Sequence, residues 1–166
     1  MKANSVDELM HYLDGVVSVD RDIVTVRHEP AVREKIDGLI QTAVFGEGLT
    51  RDTARWLIWE IAQDLGIFPS SIHQLYMAIG RGDVPTTFTV PAMNIRAMNY
   101  NSSRAVFRAA NKFNVGAMLF EIARSEIGYT GQRPMEYTTS VLAAAIKEGY
   151  RGPVFIQGDH FQVSLK

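Results

Sequence analysis

The chain of 166 residues contains no cysteine, which excludes disulfides and thiolate metal sites. That absence suits a reducing compartment, and the cytoplasm is the expected location. No apolar run approaches the ~20 residues that a membrane-spanning helix needs. Charge of one sign is not in excess either: 17 basic residues face 18 acidic ones, for a net charge of −1. Long-range attraction to nucleic acid or to an anionic membrane is therefore not expected. The opening segment Met1-Lys2-Ala3-Asn4-Ser5-Val6-Asp7-Glu8 is polar and acidic, without the apolar core of a signal peptide. There is no internal repeat and no low-complexity stretch. No Gly-x-Gly-x-x-Gly follows a candidate strand, which argues against a dinucleotide-binding fold. What is present is a globular composition, 46% hydrophobic and 21% charged. It has room for one domain, or for one domain and a small helical module.

Two stretches differ in rhythm. Residues 1–82 read as a helical N-terminal extension. Ser5 is a helix cap ahead of Leu9, Met10 and Leu13, and Gly15 ends that helix. The segments 16–19 and 23–26 are short and β-branched, and read as extended connectors. Pro30 suits a helix first turn, with Val32, Ile36, Leu39 and Ile40 following at helical spacing. Thr50 is the candidate cap for a helix whose Ala54, Leu57, Ile58, Ile61 and Leu65 share one face, closed by Gly66. Ser70 or Ser71 opens another helix toward Gly80. The run Gly80-Arg81-Gly82-Asp83-Val84-Pro85 marks the boundary.

Residues 83–166 alternate. A strand at 88–95 precedes a helix capped by Ser102 or Ser103. A strand at 116–122 precedes a long loop and a helix opened by Pro134. A last strand begins at Pro153. Strand, helix, strand, helix, strand implies parallel pairing with right-handed crossovers, and hence an α/β fold. In such folds the loops after the strands build the site. Those strand ends hold Asn94, then Ser125 and Glu126, then Asp159 and His160. Glu121 and Glu126 read as structural or solvent-facing, with Arg124 a candidate partner for Glu121. His11, His28 and His73 lack ligand spacing and read as ordinary surface or packing residues. Trp56 and Trp59 read as packing residues, and Arg133 is the loop cation most exposed to a substrate role.

Three of these segments carry a resemblance. Val90-Pro91-Ala92-Met93-Asn94, the stretch from Met118 to Ser125, and the stretch from Pro153 to His160 resemble, in order and spacing, the first three strands of class II fructose- and tagatose-bisphosphate aldolases. The resemblance covers about residues 84–162. It implies the first three β/α units of a TIM (β/α)8 barrel, here incomplete. It also implies a metal-dependent carbon–carbon lyase acting on a phosphorylated ketose. In that family's pattern Asp159 is the proton-transferring acid/base, His160 is a ligand to a divalent metal, usually zinc, and Asn94 and Ser125 contact the substrate. The remaining metal ligands and the phosphate-gripping loops of the family lie on later strands. Residues 1–166 alone are therefore expected to be inert, and the full-length protein to be a homo-oligomer.

Two positions depart from the family pattern. Gln157 stands where a second histidine is usual. Ser125 is followed by Glu126-Ile127-Gly128 rather than by two small residues. The alternative is a non-catalytic aldolase-like scaffold or regulatory subunit that works through protein contacts, and Gln157 points that way.

Overall fold

Ser5 begins the first helix, as its hydroxyl suggests. In the computed structural model, which describes residues 2–161, α1 spans Val6–Tyr12, and Ser5 Oγ accepts the Glu8 N–H at 3.1 Å. The last residue of the 84–162 resemblance lies outside the described residues. The two short β-branched segments form an antiparallel hairpin of β1 (Val17–Asp20) and β2 (Ile23–Val26), turned at Arg21 with φ 55°. Helix α2 (Glu29–Phe45) carries Pro30 in its first turn, and His28 Nδ1 accepts the Ala31 N–H at 3.2 Å. That histidine is a helix cap. Helix α3 (Gly48–Asp64) starts ahead of Thr50; Glu47 occupies the cap position and makes no side-chain cap bond.

The region expected to be helical up to residue 82 contains a further strand. β3 (Ile67–Ser70) follows Gly66, which takes φ 71°. Pro69 forbids continuing α3 and tolerates a sheet edge. Helix α4 (His73–Arg81) then ends on Gly82 at φ 79°, two residues past the expected stop. Arg81 pairs with Asp83 at 2.8 Å.

The second stretch has β4 (Ala92–Asn94), α5 (Asn99–Phe113), β5 (Leu119–Ala123), α6 (Arg124–Thr130), α7 (Pro134–Glu148) and β6 (Gly152–Asp159). The long loop expected between Ala123 and Pro134 is mostly α6, which springs directly from the end of β5. Helix α5 starts at Asn99 rather than at Ser102 or Ser103. Ser103 is buried inside the helix and donates to Asn99 Oδ1 at 3.0 Å. The four long-range strands form one parallel sheet in the order β3-β6-β5-β4. The α/β expectation and the parallel pairing of β4, β5 and β6 are thus present. The strand beside β6 is β3, drawn from the first stretch. No helix among the described residues is long and apolar enough to cross a membrane.

The core lies on one face of this sheet. Leu57, Ile58 and Ile61 of α3 are fully buried, as their spacing predicts, and so are Val141 to Ile146 of α7. Helix α7 packs on α2, α3, α5 and the sheet, so burial runs nearly all the way round it. Each buried Val, Leu or Ile side chain among them contributes roughly 1.5–3 kcal/mol, and each alanine methyl less. Phe107 of α5 sits in the same core, its ring 5.2 Å from Phe120 and 4.9 Å from Tyr150. Polar ties rim it: Arg55 to Glu136 at 2.8 Å, Arg104 to Glu148 at 2.7 Å, and Asp37, which meets both Lys147 and Tyr100 Oη at 2.6 Å. Trp59 Nε1 donates to Thr139 Oγ1 at 3.0 Å, which ties α3 to α7.

Phe120, Ile122 and Val154 belong to that core. Strand alternation sends their neighbours to the opposite face. On that face Ala92, Leu119, Phe155 and Ser70 stand in one register row, and Asn94, Glu121 and Gln157 in the next. The sheet is apolar beneath and becomes polar toward the strand ends.

Candidate active site

Parallel strands deliver their C-terminal ends to one edge. Asn94 ends β4, Ala123 ends β5 and Asp159 ends β6. Adjacent strands lie about 4.8 Å apart, so β4 and β6 are separated by roughly twice that distance. Side chains must cross β5 to meet. They do: Asn94 Nδ2 donates to Asp159 Oδ2 at 3.1 Å. Ala123 pairs in register with Asp159, and its methyl group leaves the crossing open.

Asp159 also accepts from His160. The imidazole Nδ1 lies 2.7 Å from Asp159 Oδ1. His160 takes φ 50°, a left-handed conformation that folds its ring back toward the preceding carboxylate. Its side chain is 79% exposed, against 24% for Asp159. The hydrogen bond from His160, followed by that from Asn94, holds the Asp159 carboxyl below the usual carboxylate range. Asp159 is therefore a carboxylate at neutral pH. It acts first as a proton acceptor and as a donor only after taking a proton. With Nδ1 engaged, Nε2 is the imidazole nitrogen left for a ligand.

A second polar pair lies one row below. Gln157 Nε2 donates to Glu121 Oε1. This answers the question of Glu121: its partner is Gln157, in the position where the aldolase pattern has histidine. Tyr137 Oη donates to the Glu121 backbone carbonyl at 2.8 Å, anchoring β5 from the α7 side.

Ser125 stands exposed in the first turn of α6, directly after β5. It shares the edge but takes no part in the Asn94–Asp159–His160 hydrogen bonds. Its neighbour Glu126 is buried and structural. Glu126 Oε2 accepts the Ala123 N–H at 3.0 Å, and Oε1 meets Arg96 Nε at 2.6 Å. One carboxylate thus pins the β5–α6 turn to the loop after β4. A Glu three residues into a helix is the sequence signal for this role. Arg96 carried no signal, because its partner is distant in sequence. Arg124 and Arg133 line a cleft of about 670 Å³ beside this edge, together with Gly128, Gly131 and Phe161.

His160 was expected to ligate a metal. Zinc needs about three protein donors and an open position. Among the described residues no group of three or more His, Cys, Asp or Glu side chains is placed to hold one ion. Asp159 and His160 do not make a complete site by themselves. Comparisons with family models, with curated proteins and with solved structures gave no match.

The arrangement offers an ionised carboxylate held between an amide and an imidazole. It is open on one side and sits at the C-terminal edge of a parallel sheet.

Proposed function

We propose that this chain carries the proton-transfer end of a metal-dependent aldolase. Such a lyase cleaves or forms the carbon–carbon bond of a phosphorylated ketose, with fructose 1,6-bisphosphate and tagatose 1,6-bisphosphate as candidate substrates. One observation supports this reading above the others: Asn94, Asp159 and His160 hydrogen-bond in series at the strand ends. In the cleavage direction a base takes the proton of the hydroxyl next to the scissile bond. The oxygen's electrons form the aldehyde carbonyl, and the bond pair passes to the ketose fragment as an enediolate. Asp159 is that base, and it returns the proton in the condensation direction. Asn94 holds the carboxylate and turns its amide to a substrate oxygen. Ser125 contacts the substrate from α6. On the same reading His160 is one donor to a divalent metal, zinc in the aldolases, which supplies a Lewis acid. On this reading β4, β5 and β6 are the first three strands of a β/α barrel, and β3 holds the β6 edge that the fourth strand of such a barrel would take.

The test is release of triose phosphate from fructose 1,6-bisphosphate by the intact gene product supplied with zinc. Asp159→Asn should lower kcat by about 10²–10⁴-fold, with circular dichroism and zinc affinity unchanged. Full turnover by Asp159→Asn would remove the base assignment. A non-catalytic scaffold is the second reading, favoured by the mutual satisfaction of Gln157 and Glu121 where the aldolases have histidine. Zinc binding without any cleavage of either bisphosphate would select it.

A further inference from the structure

The helices that cover the core leave one apolar face open. Phe45 at the end of α2, Leu49 at the start of α3, Met98 ahead of α5 and Met135 in the first turn of α7 are 70%, 74%, 72% and 54% exposed. Phe45 and Met98 line a cleft of about 530 Å³ between α2, α5 and α7, backed by Ile40 and Val44. Met135 lies beside Trp56 and Trp59 in a second cleft of about 330 Å³. The two clefts are neighbours. Gln132 of the first and Arg55 of the second both bond Glu136, at 3.2 and 2.8 Å. Projecting side chains and recesses thus share a single face. Tyr76 and Met77 are exposed as well, but on α4, which follows the β3 edge.

Met98 carries a second signal. Its backbone is left-handed, at φ 49° and ψ 44°. A residue with a Cβ is disfavoured there and persists where its surroundings hold it. Yet Met98 turns its side chain to solvent, so the described residues supply little of that hold. Charge narrows the choice of occupant. A two-fold contact sets like groups near their own copies, so uncompensated charge would repel. In the two clefts Asp37 pairs with Lys147, Arg104 with Glu148, Asp52 with Arg51 and Arg55 with Glu136, while Glu60 accepts from Gln63.

We infer that two copies of the chain meet on this face about a two-fold axis, the projecting side chains of each copy seated in the clefts of the other. An isologous contact needs knobs and recesses on the same patch, and this patch has both. The four exposed side chains offer on the order of 500 Å² of apolar area per copy, at the upper end of what a monomer leaves open. Two such patches face to face reach the ~1,000 Å² at which specific interfaces begin. Aromatic and methionine side chains with an arginine among them are what interface cores are enriched in. Helices α2 and α3 lie in residues 1–82, to which the aldolase resemblance assigns no role. The contact therefore stands apart from the chemistry proposed above. It braces the loop after β4, from which Arg96 reaches Glu126.

Sedimentation velocity of the intact gene product at micromolar concentration tests this. The native protein should sediment with at least twice the mass of one chain. Phe45→Glu and Met98→Glu should each weaken self-association by about 10-fold or more, with the circular dichroism spectrum unchanged. Tyr76→Glu, on α4, should leave self-association as it is. The chain contains no cysteine, so a single introduced thiol reports its own position. Under oxidation Phe45→Cys or Met98→Cys should give a disulfide-linked pair, and Tyr76→Cys none. A native protein that stays monomeric, or a dimer that survives both charged variants, would overturn the inference. So would a monomer whose melting temperature falls in Phe45→Glu, because another segment of the same polypeptide would then cover the face.

Discussion

Helix α7 and the tip of β6 are neighbours in sequence and opposites in physics. Around α7 every direction is filled: Val141 to Ile146 are buried against α2, α3, α5 and the sheet. At the tip of β6 an amide, a carboxylate and an imidazole meet at the surface, with apolar side chains kept to the other end of the sheet face. Burial stabilises the first region in proportion to apolar area. The second draws nothing from burial and depends on orientation. Changes in one should therefore move stability, and changes in the other should move chemistry.

The largest contrast comes from pairing Asp159→Asn with Phe107→Ala. The first should lower turnover by about 10²–10⁴-fold and lower the melting temperature only slightly, because the carboxylate it removes sits at the surface. The second opens a cavity beside Phe120 and Tyr150. It should cost about 3–5 kcal/mol in denaturant unfolding while kcat per folded molecule holds. If either variant moved both quantities by these amounts, the two regions would not be separable.

Ala123→Leu sharpens the comparison at the seam. The added side chain would occupy the path between Asn94 and Asp159 above β5. Turnover should fall about 10–100-fold, with a smaller loss of stability, on the order of 1 kcal/mol. Lys147→Met is the smallest of the changes. Burial raises the Asp37 carboxyl, but hydrogen bonds from Lys147 and Tyr100 more than reverse this, so it titrates below its ordinary value. A carboxyl lower in the folded chain than in the unfolded one stabilises the fold above the unfolded carboxylate range. That contribution disappears as pH falls through the folded value. The Asp37 side chain is about half exposed, so the contribution is about 0.2–1 kcal/mol. Native stability should therefore decline below about pH 4, and Lys147→Met should flatten part of that decline in urea unfolding followed across pH.

Much of this contrast was legible in the residues. The apolar stripe of α3, the Pro30 and Pro134 helix starts and the order of the last three strands follow from periodicity and punctuation. Asn94 and Asp159 were expected at strand ends, and they meet. β3 was hidden because four residues with a proline carry no period, and its partner β6 lies far along the chain. α6 was hidden because Gly128 and Gly131 made a helical segment look like loop. The Gln157–Glu121 and Arg96–Glu126 pairs depend on register between strands and on loop placement, which no local pattern encodes. Ser125 was expected with the others; it shares their edge without joining their hydrogen bonds.

The most direct test of the central claim is a carbon-13 NMR titration of the Asp159 carboxyl in the native protein, in Asn94→Ala and in His160→Ala. If Asn94 and His160 hold that carboxylate across the strand ends, Asp159 titrates below the ordinary carboxylate range in the native protein and moves upward in each variant. An ordinary value in the native protein, unmoved by either change, would contradict the meeting of these strand ends and the site built on it.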